Sequence, residues 1–112
     1  MSRQKMLTAE IIKKTPGLYA TEGTTWANKK ATAKFFNPCG SGTWYMIEMD
    51  KETDECFGMC HIHEWEAGYF SIKELEKIKL RFGLYIERDI YFTPCKLSEI
   101  AELKNYLREQ VA

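Results

Sequence analysis

The chain has 112 residues, 45% of them hydrophobic and 13% aromatic, which supplies a core and excludes a disordered tail. At that length a single domain over 1–112 is expected, burying about two thirds of its unfolded surface. Sixteen Lys/Arg balance sixteen Asp/Glu, and no charge-free stretch approaches membrane-spanning length, so a spanning protein is set aside.

The charge is unevenly placed. Residues 1–36 hold seven Lys/Arg against two Asp/Glu, residues 37–76 two against nine, and residues 77–112 seven against five. An acidic central block disfavours phosphate and suits a basic protein partner, while basic flanks suit nucleic acid; otherwise the charges merely solvate the surface. The amino-terminal Met-Ser-Arg-Gln-Lys-Met-Leu-Thr lacks the apolar core and cleavage site of a signal peptide. A cytoplasmic location is therefore expected, where the four cysteines are reduced or metal-bound instead of disulfide-paired.

In chain order, Thr8 caps a short helix through Ile11, Ile12 and Lys14, and Pro16-Gly17 ends it. Residues 19–30 have neither helical nor strand period and form a loop. The sheet begins at Ala31 to Phe36, and the run from Asn37 to Gly42 is a connection rich in turn formers. Thr43 to Met49 is a strand, Asp50 to Glu55 a charged hairpin loop, and Cys56 to His63 the returning strand. A symmetric loop sets Met49 opposite Cys56, Tyr45 opposite Cys60 and Thr43 opposite Ile62. Glu66 to Phe70 adds a further extended piece. Ser71 and Glu74 then make a capping box ahead of a helix carrying Leu75, Ile78 and Lys79, which Gly83 stops. After Thr93-Pro94, Ser98 caps a last helix with Ile100, Leu103, Tyr106 and Leu107 on one stripe. The expected class is α+β, a small antiparallel sheet with its central hairpin at about 43–63, covered by helices.

Two of the four cysteines and both histidines fall between Cys56 and Glu64. On a strand His61 and His63 share a face about 7 Å apart, within reach of one ion, while Cys56 and Cys60 lie on the other face about 13 Å apart. A metal site would thus join His61 and His63 to a third ligand, with Cys39 the leading candidate because its turn sits at the same hairpin end. Mixed nitrogen and sulfur ligands favour Zn2+, in a structural role. The alternative is a set of ordinary structural residues, since buried cysteines are common and the spacing matches no standard zinc motif.

Phe35 to Trp44, Phe57-Gly58, Gly68 to Leu75 and Gly83 to Pro94 resemble, in order, the hallmark blocks of a small bacterial domain family of unknown function. The chain is similar to single-domain proteins carried on plasmids, integrative elements and phages. The resemblance implies accessory cargo of mobile elements. One protein of this likeness is a metal-containing anti-CRISPR inhibitor of the type II effector nuclease, and some relatives are labelled single-stranded DNA endonucleases. The histidine-rich segment departs from the blocks, where an acidic residue and small polar residues follow the Phe-Gly.

Other constellations carry less. Glu87 and Asp89 share a face and could meet an ion, but an ion-pair network fixing the carboxy-terminal half accounts for them better. Cys60 and His61 are neighbours on a strand and face apart, which disfavours a Cys-His nucleophile. Trp26, Trp44, Trp65, Tyr45 and Tyr69 could stack bases while Lys29, Lys30 and Lys34 hold phosphates; the competing reading puts Trp44 and Tyr69 in the core and Trp26 and Trp65 against a partner. The leading expectation is a non-enzymatic counter-defence protein with no catalytic residues. It would bind a type II CRISPR effector through Glu52, Asp54, Glu55, Glu64 and Glu66. The runner-up is a nucleic-acid-binding or nuclease accessory factor of element transfer.

Overall fold

Apolar side chains recur on both faces of Thr43–Met49 and Glu55–His61, so this hairpin must be covered on both sides. In the computed structural model, which describes residues 5–111 with side chains through Glu109, these segments are the middle of a sheet. Residues 1–4, read above for a signal peptide, lie outside the described part, as does residue 112. The strands are β1 (Lys30–Ala31), β2 (Ala33–Phe36), β3 (Thr43–Met49), β4 (Glu55–His61), β5 (Trp65–Ser71), β6 (Glu87–Arg88) and β7 (Cys95–Lys96). Five form one antiparallel sheet, β5-β4-β3-β2-β6, and β1 pairs with β7 in a separate ladder. With helices α1 (Ala9–Lys14), α2 (Ile72–Lys77) and α3 (Lys104–Val111), the fold is α+β.

One face of the sheet, here the front, carries Phe35, Trp44, Met46, Cys56 and Phe70 and packs under Met6, Ile11, Ile12, Ile72 and Leu75. The back face carries Tyr45, Ile47 and Met59 under Leu97, Ile100, Leu103 and Leu107. Each caps as its sequence requires: the Thr8 hydroxyl accepts from the Ile11 amide at 3.1 Å, and the Ser71 hydroxyl from the Glu74 amide at 3.3 Å.

Four expectations need correction. The strand expected over Ala31 to Phe36 breaks at Thr32, whose hydroxyl bonds the buried Thr15 hydroxyl at 2.7 Å, so β1 leaves the main sheet. The helix expected to run to Gly83 ends at Lys77, because Ile78 turns extended and the chain closes a small hairpin through a bond from Leu80 N to Leu84 O at 2.9 Å. Ser98 caps no long helix: residues 97–103 wind as two 3-10 turns hinged at an extended Ile100, which turns Leu97, Ile100 and Leu103 all onto the back face.

The fourth is the hairpin register. Met49 opposes Cys56 as expected, but Tyr45 opposes Met59 and Thr43 opposes His61, one residue off. A β-bulge between Met46 and Glu48 inserts the extra residue. Gly58 makes it possible. A Cβ there would lie 1.9 Å from the Tyr45 carbonyl oxygen, a distance no side chain tolerates.

Candidate functional site

The bulge has a chemical consequence, because it sets Ile47 and Glu48 on the same side of the sheet. Glu48 therefore points to the back face, opposite Phe57, where a regular strand would have turned it to the front. There it is buried at 4% exposure. Its carboxylate accepts from the Tyr19 amide at 2.8 Å, the Thr21 amide at 2.9 Å and the Thr21 hydroxyl. Burial alone would raise this carboxyl; the Thr21 hydroxyl, the two amides and the Lys29 charge outweigh it and hold it below the ordinary value. Lys29, also buried, donates to the Thr21 carbonyl and hydroxyl and lies 5.0 Å from the Trp26 ring centre.

This buried polar knot fixes the 17–25 loop as a wall beside the sheet. Tyr19 pays for its place there with a left-handed backbone, φ 70°. Between wall and sheet runs an open groove of about 520 Å3 lined by Tyr19, Glu22, Trp26, Phe57 and Tyr69. Its rings touch in series, Trp26 to Phe57 at 5.8 Å and Phe57 to Tyr69 at 5.0 Å. Tyr19 is 61% and Tyr69 53% exposed, so Tyr69 is not the core residue expected; Trp44 is buried as expected. The hydrogen bond with Tyr19 raises the Tyr69 hydroxyl above the usual phenol value.

Tyr69 belongs to β5, an outer strand of the sheet. The five acidic candidates lie at its two ends. Glu52, Asp54 and Glu55 occupy the β3–β4 hairpin, where Glu55 pairs with Ser71; Glu64 lies in the β4–β5 turn and Glu66 at the start of β5, beside the pair His61 and Trp65. Six residue steps separate those pairs, about 20 Å. Asp54 is partly committed to the fold: its carbonyl accepts from Ile72, its carboxylate lies 4.0 Å from Lys73, and its φ is 63°.

The sequence matches, over residues 7–109, a family described as Protein of unknown function (DUF2958). The chain belongs to that family. No curated protein and no solved structure matches it.

In this DUF2958 domain the metal candidates do not converge. His61, His63 and Glu64 line an open depression with Glu109 of α3, and the His61 ring packs on Trp65 at 4.8 Å. Cys39 is exposed in the β2–β3 turn, its thiol directed to the Arg81 carbonyl at 3.9 Å. Among the described residues no group of three or more His, Cys, Asp or Glu stands where it could hold an ion. Cys56 and Cys60 are buried on the front face, away from His61, and burial pushes both thiols up to about 12, so they are neutral packing groups.

Of the three lysines expected to grip phosphate, Lys30 in β1 is exposed, while Lys29 and Lys34 are engaged. Lys29 is buried, and Lys34 lies 5.5 Å from the Tyr45 ring centre and 4.0 Å from the Asp89 carboxylate. Asp89 also accepts from the Tyr91 amide at 2.9 Å, and its own amide donates to Lys34 O, which ties the 89–92 turn to β2. Beneath it the buried Tyr45 hydroxyl donates to Glu102 at 2.6 Å, and burial with that bond drives its acidity well below a normal phenol's. Sequence reasoning missed the Glu48 knot and the groove. The readable signal was a lone Glu inside the apolar run of β3, opposite a Phe-Gly pair where only a bulge relieves the crowding.

Proposed function

We propose that the chain is a non-enzymatic protein-binding domain, and that it acts in counter-defence by occupying the surface of a type II CRISPR effector nuclease. The observation that supports this reading most is the exposed aromatic groove bordered by acidic residues, held open by buried ionic groups. Rigid, partly exposed Tyr and Trp side chains are typical anchors of protein interfaces, and acidic surroundings steer a basic partner towards them. The effector as partner comes from the resemblance of the sequence blocks, and its nucleic-acid-binding surfaces have the required positive charge.

The engagement of Lys29 and Lys34 inside the fold weighs against the nucleic-acid reading, which needs them free for phosphate. The zinc expected at Cys39, His61 and His63 is left to elemental analysis, since the described residues bring no three such ligands together. A pull-down with purified type II effector, beside a gel-shift and a nuclease assay on the isolated protein, tests the reading. Effector capture without DNA affinity supports it. DNA cleavage lost on Glu87→Ala or Asp89→Ala would overturn it.

A further inference from the structure

We infer that the partner docks by strand addition, an extended basic segment pairing along the free edge of β5 with one large apolar side chain packed against the exposed Tyr69 ring. This rests on the protein-binding reading above and names its recognition mode. The hydrogen-bond parity of the sheet is the starting point. Ile72 N donates to Asp54 O at 3.3 Å and Asp50 N to Glu55 O at 2.8 Å, so even-numbered β4 residues bond to β5 and odd-numbered ones to β3. On β5 the main-chain groups of 66, 68 and 70 then face β4, while those of Trp65, Ala67 and Tyr69 face outward. Among the described residues no backbone bond outside the strand ladders takes them up.

Native sheets blunt such edges with proline, lysine or a bulge. β5 has none of these: its sequence is Trp-Glu-Ala-Gly-Tyr-Phe-Ser, and its register with β4 is unbroken over seven pairs. Its back-face row is Trp65, Ala67 and Tyr69, a small exposed residue between two rings. An added strand would lay alternate side chains beside that row, and one next to Tyr69 packs on the outer side of its exposed ring, at the end of the Trp26–Phe57–Tyr69 series.

Charge selects the occupant. With Glu64 and Glu66 at one end of the edge and Glu55 about 20 Å away at the other, where Lys73 already faces Asp54, the fitting segment has basic residues at both ends, more of them at the first, and apolar ones between. A second copy fits badly. Antiparallel pairing of β5 with itself would bring the Glu64–Glu66 end of one chain towards the end of the other that carries Glu55, one strand further in, with no added basic residue between them but Lys73, which already faces Asp54.

The test uses the full chain and a synthetic ten-residue probe of alternating Val and Thr with a central Phe and two lysines at each end. Ala67→Pro removes one outward N–H that the fold does not use, so the sheet should survive, which circular dichroism and a thermal melt verify. The probe should bind the wild type, slow exchange of the Ala67 and Tyr69 amides at least tenfold, and bind Ala67→Pro at least tenfold more weakly. Failure of the wild type to bind the probe, or equal binding by the variant, would overturn strand addition. A wild-type dimer by light scattering that Ala67→Pro converts to monomer would also overturn it, assigning the edge to a second copy. Effector capture is measured in parallel. Capture by both proteins discards the edge while keeping the protein-binding reading; capture by neither discards the reading itself.

Discussion

Glu48→Ala should cost the domain about 3 kcal/mol. The side chain accepts from two amides and a hydroxyl, and its removal leaves the buried Lys29 without its nearby opposite charge. A hydrogen bond to a charged group contributes about 1.5–3 kcal/mol and breaking a buried ionic pair costs about 3–5 kcal/mol, but these terms overlap and do not sum. For a chain of this length the loss corresponds to roughly 10–15 °C in Tm. Urea denaturation should show a lower midpoint at unchanged slope, and hydrogen exchange should quicken in the 17–25 loop before the Cys56–Phe70 region. Glu48→Gln, which keeps one acceptor oxygen, should lose less. The pH dependence has a fixed sign. A carboxyl held below its ordinary value contributes stability that is complete above the unfolded value of about 4.3 and is lost as the pH falls through the lower folded value. The wild type should therefore lose more stability than Glu48→Gln between pH 5 and 3. A loss under about 1 kcal/mol for Glu48→Ala, or parallel pH curves for wild type and Glu48→Gln, would refute the knot as the support of the groove.

Gly58→Ala should unfold or severely destabilise the protein, by more than about 3 kcal/mol, because its Cβ would meet the Tyr45 carbonyl at 1.9 Å; a normal thermal melt would show that the bulge is not required. Tyr45→Phe should cost about 1 kcal/mol by losing the bond to the exposed Glu102, which water then solvates, read as a Tm shift of a few degrees. Protein purified without a metal-affinity tag should carry well under one zinc per chain, since Cys39, His61 and His63 do not converge. Full occupancy that disappears in His61→Ala/His63→Ala would show that the β4–β5 turn reorganises around an ion.

The hairpin, the two helix caps and the α+β class were legible because each rests on local pattern: the β-branched and aromatic run of Thr43–Met49, and Thr8 and Ser71 before apolar turns. The register was not, because a bulge is set by backbone crowding at Gly58 and Tyr45 across two strands, and counting outward from the loop has no term for it. That one residue decided the site. It turned Glu48 to the back face and placed Trp44, and not Tyr45, opposite Cys60. The acidic candidates were legible by composition, but their division between the two ends of β5 depends on the strand order. The burial of Lys29 was not legible, because it is drawn inward by Thr21 and Trp26, partners eight and three residues away across a loop without periodicity.

Calorimetric titration of a purified type II CRISPR effector with the isolated protein tests the account most directly, using wild type and a Glu52→Lys/Glu55→Lys/Glu66→Lys variant that spares the structurally engaged Asp54. The wild type should bind, more tightly at low salt, and the variant should bind at least tenfold more weakly with an unchanged melt. An effector that does not bind the wild type, or binds the variant equally well, would contradict it.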